Sequence, residues 1–202
     1  MMKIKVNRMI KWSIRISLFF VLCSCNMKSQ RLLTEITLLQ SKPINCGSNK
    51  LMHNGSLQEK IKYIIYSDSM RCTPCAINKM YLWNSLLEYS KNYNGQLNFY
   101  FIFCPARKDL HEMKLALIKN SKFNYPILLD TLGEFEKLNP HLPQNNTLHA
   151  FLLDENNNVI LVGDPLHNKR IKEIFYKTVE EKLGKPQQSS TEENDFADET
   201  TN

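Results

Sequence analysis

Two cysteines, Cys72 and Cys75, stand where an apolar run gives way to a helix-patterned one. Cysteines at this spacing, placed across a first helical turn, can close into a small disulfide ring. The unpaired N–H groups of a helix start favour a thiolate on the first of them. A thiolate beside a resolving thiol is the chemistry of thiol–disulfide exchange, in which attack gives a mixed disulfide and the second thiol releases it. Zinc sites use the same CxxC spacing, so the flanking pattern has to decide. Upstream, Lys62-Tyr63-Ile64-Ile65-Tyr66 has the aromatic and β-branched content of a buried strand. Downstream, Ala76, Met80, Trp83 and Leu87 recur at helical spacing on one face. A CxxC at a strand-to-helix junction points to redox chemistry more than to zinc.

The N-terminus predicts where that chemistry takes place. Lys3, Lys5, Arg8, Lys11 and Arg15 form a basic start without acids, and Ile16 to Leu22 is an apolar run too short to span a bilayer. Leu22-Cys23-Ser24-Cys25 then resembles a bacterial lipobox, which makes Cys25 the expected lipidation site and 1–25 a lipoprotein signal peptide. A plain signal peptide or a signal anchor is the alternative. Two acyl chains would supply the stable anchoring that a single chain does not. The domain is then expected outside the cytoplasm, where disulfides persist.

Charge and composition divide the rest. The chain carries a net charge of +6, and five of its cations lie in the leader, leaving about +1. Residues 184–202 hold one lysine and five acids and read as a disordered acidic tail. The remaining charge is mild and has no basic run, so no nucleic-acid partner is expected. Residues 26–58 read as a tether with an edge strand near Ile44, and 59–183 as one α/β domain. Within it, Gln96–Cys104 reads as a central strand, Leu110–Ile118 as a helix and Tyr125–Asp130 as a short strand. Thr131–Leu138 reads as a short helix, followed by two strands, Ala150–Asp154 and Val159–Val162, on an asparagine-rich turn. A final amphipathic helix carries Ile171, Ile174, Phe175, Val179 and Leu183.

This order, with Cys72-Thr73-Pro74-Cys75 after the first core strand, resembles the thioredoxin superfamily. It is most similar to membrane-anchored redoxins of the TlpA type. Tyr125-Pro126-Ile127-Leu128-Leu129-Asp130 and Phe151-Leu152-Leu153-Asp154 carry the likeness further. With the lipobox and Gly163-Asp164-Pro165-Leu166-His167-Asn168, the chain looks like thioredoxin-fold lipoproteins of Bacteroidetes-type bacteria. The resemblance implies a central mixed β-sheet flanked by helices with an antiparallel C-terminal hairpin. It implies Cys72 as the attacking thiolate and Cys75, one turn deeper, as the resolving thiol, with Thr73 and Pro74 shaping the loop. It further implies a lipid-anchored oxidoreductase in a Gram-negative cell envelope, facing the periplasm and acting on protein thiols and disulfides. An electron-donor or acceptor protein would serve it, reduction is favoured over oxidation, and no cofactor is needed. The competing class is a non-catalytic binding protein on the same fold, its disulfide merely structural.

Several residues depart from the family pattern or stay open. The cis-proline expected opposite the CxxC is replaced by Thr147-Leu148-His149-Ala150, so Leu148 and His149 join the candidate active-site loop. The buried acid expected six residues before Cys72 is Tyr66, and Asp68, the nearest carboxylate, reads as a helix cap. Arg71 either supports the Cys72 thiolate or is a solvated surface charge. His149 reads as a strand-end histidine facing solvent or packed under a loop; turned toward the pair, it would instead tune its redox balance or complete a three-ligand metal set with Cys72 and Cys75. A second CxxC or paired-histidine motif is missing, so no metal is expected. Cys104 is a candidate third thiol or a small buried apolar residue, and a Cys46–Cys104 disulfide is a further option. His53, His111, His141 and His167 read as surface residues.

Overall fold

The computed structural model describes residues 27–46, 59–69, 72–120 and 122–186. Five strands form one open mixed sheet: β1 (Ile61–Ser67), β2 (Leu97–Phe103), β3 (Ile127–Leu129), β4 (Ala150–Leu153) and β5 (Val159–Val162), in the order β3-β2-β1-β4-β5. β1 and β2 run parallel, with Ile61 opposite Leu97 and Ser67 opposite Phe103, and β3 extends the parallel set. β4 is antiparallel to β1 and to β5. The mixed sheet flanked by helices and closed by an antiparallel hairpin is the expected architecture.

The helices are α1 (27–40), α2 (Thr73–Asn78), α3 (Asn84–Lys91), α4 (Leu110–Lys119), α5 (Glu134–Leu138) and α6 (Lys169–Leu183). Side chains alternate across a strand, so each central strand feeds two cores. Tyr63, Phe99, Phe101, Phe103 and Leu152 meet Ile77, Trp83, Leu86, Met113, Phe175 and Val179 on one face. Ile64, Tyr66, Tyr100, Ile102 and Phe151 meet Leu39, Ile44 and Phe135 on the other. Both faces of β1 are covered, which explains why it reads as a continuous apolar run.

The segment expected to be a tether behaves differently. Residues 27–40 are helical, and Leu39 and Ile44 are fully buried. No strand forms at Ile44, although its N–H donates to the Asn157 carbonyl at 2.9 Å. The buried Asn139 amide clamps the neighbouring residue from both sides. Its Oδ1 accepts the Asn45 N–H at 2.7 Å, and its Nδ2 donates to the Asn45 carbonyl at 2.9 Å.

The Gly163–Asn168 stretch that helped carry the resemblance is a turn and helix-start device. Asp164 accepts the Leu166 N–H at 2.7 Å and lies 2.8 Å from His167 Nδ1, while Asn168 caps α6 by accepting the Ile171 N–H at 3.1 Å. Gly163 has φ +125°, and a Cβ there would lie 3.1 Å from Ile171 Cδ1. Its carbonyl also accepts the Tyr63 hydroxyl at 2.6 Å. Gly163→Ala is therefore expected to cost about 1–3 kcal/mol from backbone strain and crowding. Urea midpoints of the two proteins check this.

Candidate redox site

The site begins where β1 ends. Cys72 is the N-cap of α2 in an extended conformation, and its carbonyl accepts the Ala76 N–H at 3.1 Å to open the helix. Pro74 falls in the first turn, where its missing N–H would have had no helical partner. Thr73 and Ile77 are wholly buried and pin the helix to the body. Asn120, at the end of α4, donates from Nδ2 to the Ile77 carbonyl at 2.6 Å. Against this fixed base, Cys72 and Cys75 form a disulfide with Cα atoms 5.3 Å apart.

Both cysteines are exposed to solvent, Cys75 included. The buried hydroxyl between them belongs to Thr73, whose Oγ1 has no hydrogen-bond partner. The helix itself is also shorter than its pattern. After Asn78 the chain tightens into a 3₁₀ turn at Met80–Trp83 before α3 resumes. Met80, Trp83 and Leu87 still face the core.

Leu148 and His149 are both buried beside the end of β1. Asn145 caps the 3₁₀ turn Asn146–Leu148 by accepting the Thr147 N–H at 3.1 Å, and the His149 carbonyl accepts the Tyr66 N–H at 2.8 Å. This backbone bond fastens the loop to the strand that leads into the CxxC. No peptide bond among the described residues is cis.

The His149 ring does not complete a metal set. Its Nε2 lies 2.8 Å from the Pro143 carbonyl, so it carries the proton, because a carbonyl can only accept. Nδ1 lies 3.6 Å from Asp68 Oδ2, and the ring packs on Tyr66 with centroids 5.3 Å apart. Among the described residues no three His, Cys, Asp or Glu side chains converge to hold a metal ion. Asp68 turns toward His149, and the Cys72 side chain at the N-cap of α2 makes no capping bond.

Tyr66 occupies the position of the missing acid. Burial first, then the neighbouring Cys104, Glu136, Asp130 and Asp68, push its phenol far above the ordinary value, so it stays protonated and accepts no proton. Asp130 is a helix cap, accepting the Glu134 and Phe135 N–H groups at 2.8 Å each.

Cys104 and Cys46 are separate from the pair and from each other. Alternation along β2 turns Cys104 onto the sheet face opposite Phe103, Ile77 and α2. Its backbone joins Ser67 at the C-terminal end of β1. Burial, then Asp130, raises its thiol, with a Tyr66 hydrogen bond opposing. Cys46 lies at the other end of β1, near Lys62 and Asn157. Burial pushes its thiol up to about 11. Strand rise alone separates the two ends by roughly 16 Å, so the Cys46–Cys104 disulfide does not form, and both cysteines are free.

Arg71, Cys25 and His53 lie outside the described residues. His141 is buried, not a surface residue. Burial, followed by the Lys42 charge, depresses its imidazole below the ordinary 6.5. The unfolded chain therefore takes up this proton first as pH falls. Stability from His141 is present above pH 6.5 and is lost as pH falls from there through the depressed folded value. His141→Gln is expected to flatten that loss, as measured by urea midpoints between about pH 7.5 and pH 5.

Two elements escaped the sequence reading for different reasons. Leu32, Ile36 and Leu39 already show the four- and three-residue steps of α1. The Asp68–His149–Pro143 cluster draws on three separate segments and leaves no local signal. No helix among the described residues is long and apolar enough to cross a membrane.

No family model and no curated protein matches this sequence. Solved structures do resemble it. An uncharacterized thioredoxin-like protein from Porphyromonas gingivalis is 17% identical with a TM-score of 0.40, over 61% of this chain and 76% of that one. StoA from Bacillus subtilis is 22% identical with a TM-score of 0.35, over 53% of this chain and 75% of its own. Yeast Sco1 with copper bound is 22% identical with a TM-score of 0.37, over 59% and 78%. Likenesses at this level carry nothing about function, which has to rest on the residues of the chain.

Proposed function

We propose that this protein is a thiol–disulfide oxidoreductase that works through Cys72 and Cys75 and is held to the cell envelope, facing the periplasm, by a lipidated Cys25. The observation that carries the reading is a disulfide with both cysteines in solvent, on a helix start that is itself pinned to the core. Ring size also favours a working disulfide over a structural one. Closing a ring of four residues contributes roughly 2 kcal/mol, well below what a long loop would give.

In the reducing direction, the Cys72 thiolate attacks one sulfur of a substrate disulfide and expels the other as a thiolate. Cys75, after losing its proton to solvent, attacks Cys72 Sγ, forms the Cys72–Cys75 bond and releases the second substrate sulfur. Two electrons pass to the substrate, and a donor dithiol must restore the pair. Tyr66 is protonated and Asp68 lies against His149, which supports solvent as the acceptor of the Cys75 proton in this scheme.

A thiol-trapping titration of residues 26–202 in glutathione buffers tests the proposal. Reversible two-electron oxidation is expected. A midpoint near about −270 mV would mark a reductase and one near about −120 mV an oxidant. A pair that stays oxidised across the whole range would defeat the catalytic reading and leave a structural disulfide.

A further inference from the structure

We infer that α1 fixes the orientation of the domain on the membrane, with the Cys72–Cys75 end turned toward the lipid. The partner is then a protein whose reactive cysteines lie at the headgroup level of the same bilayer. This rests on the anchored oxidoreductase proposed above and names the partner class for that site.

The inference comes from the direction in which the described part of α1 runs. At its far end, Ile44 and Asn45 are bound to Asn157 and Asn139, and Asn157 also accepts Lys62 Nζ at 2.8 Å beside the start of β1. At its near end, Arg31 donates to Gln144 at 3.4 Å. Lys28, Arg31, Leu32 and Glu35 share an open groove of about 560 Å³ with Gln144 and Asn145. Asn145 caps the turn that delivers His149 to Tyr66, at the exit of β1 toward Cys72. The helix therefore runs along the sheet with its first turn at the disulfide end. Its fourteen residues span about 21 Å, which matches the length of β1.

Only Asn26 separates Cys25 from the first described residue of the helix. Two residues of chain reach at most about 7 Å. An acyl group on Cys25 therefore cannot lie far from the groove, and the bilayer it enters must face the end of the sheet that holds Cys72. A long flexible tether would let the domain roll and meet partners in any direction. A docked helix whose first described residue lies two positions from its anchor does not.

The test uses the full-length lipoprotein, purified with its lipid and reconstituted into vesicles with acceptor-labelled headgroups. One protein carries Cys75→Ser and a donor dye on Cys72. A second keeps the disulfide and carries the dye on Asn156→Cys, in the exposed hairpin at the opposite end. Cys46 and Cys104 are replaced by serine in both proteins, so that each carries a single dye. Energy transfer is expected to be several-fold stronger from residue 72. Inserting a Gly/Ser segment of about twenty residues, spanning roughly 25 Å, between Asn26 and Met27 should erase the difference. Equal or reversed transfer, a difference that survives the insertion, or a protein that fails to float with the vesicles each overturns the inference. Reduction of the vesicle-bound disulfide by dithiothreitol is followed separately. Its failure would remove the redox reading, while the energy transfer still judges the orientation.

Discussion

Cys72→Ser is expected to abolish the proposed disulfide exchange, while Cys75→Ser is expected to stall it halfway and accumulate a mixed disulfide with the partner. The asymmetry follows from position. Cys72 caps α2 from an extended conformation, and Cys75 lies in the first turn, where its only proposed task is to attack the Cys72 sulfur. Without Cys72 no covalent link to the partner forms, and the rate should fall by about three orders of magnitude or more, to the uncatalysed background. Without Cys75 the first attack survives and the link is not resolved. Insulin-type turbidity assays read the loss, and non-reducing gels read the trapped adduct. Both exposed thiols are open to a partner, so adducts trapped equally by Cys72→Ser and Cys75→Ser would contradict the assignment of roles. Neither change should unfold the domain, since a ring of this size contributes only roughly 2 kcal/mol.

Phe175→Ala is expected to cause the largest loss of stability. Phe175 is fully buried, and its ring meets Tyr63 edge-on at 5.5 Å, Tyr176 at 5.5 Å and Phe99 at 6.2 Å. It is the point at which α6 locks onto β1 and β2. Truncating such a ring costs about 3–5 kcal/mol, because the neighbours relax only partly into the cavity. Against a total stability of about 5–15 kcal/mol, that is a large fraction. A fall in melting temperature of roughly 10 °C is expected for a chain of this size, measured by circular dichroism on residues 26–202. Tyr63→Phe, which keeps the ring and removes only the bond to the Gly163 carbonyl, should cost about 1 kcal/mol. A Phe175→Ala protein as stable as that one would refute the packing account.

The strands were legible because burial on both faces leaves a compositional trace. Tyr63-Ile64-Ile65-Tyr66 and Phe99-Tyr100-Phe101-Ile102-Phe103 have no polar residue to lose, and their boundaries came out within a residue or two. The Cys72–Cys75 pairing was legible for a similar reason, since it is local. What stayed hidden depends on contacts between distant segments. Lys79-Met80-Tyr81 holds no glycine or proline, yet the helix tightens there, between an α2 held at Thr73 and Ile77 and an α3 held at Leu86 and Leu87. His149 offered a metal ligand by residue type, but the Pro143 carbonyl and Asp68 engage its ring. His141 carried no sign of burial in its own neighbourhood. α1 did show its spacing, and was obscured by polar residues between its apolar positions and by the lipobox-like Leu22-Cys23-Ser24-Cys25 just before it.

The Asn139 clamp on Asn45 has a consequence for the order of events as the chain folds. The two residues lie 94 positions apart. The N-terminal arm leaves the ribosome first, but its docking partners arrive only when most of the domain has been made. Closing so long a loop has a large entropic cost, and it becomes favourable only once α5 and the β4–β5 hairpin present preformed acceptors. The arm is therefore expected to be the last element to order. An amide-exchange pulse during refolding should find Asn45 protected after Tyr63 and Phe101, so that the end that carries Cys72 and Cys75 forms before the N-terminal arm docks.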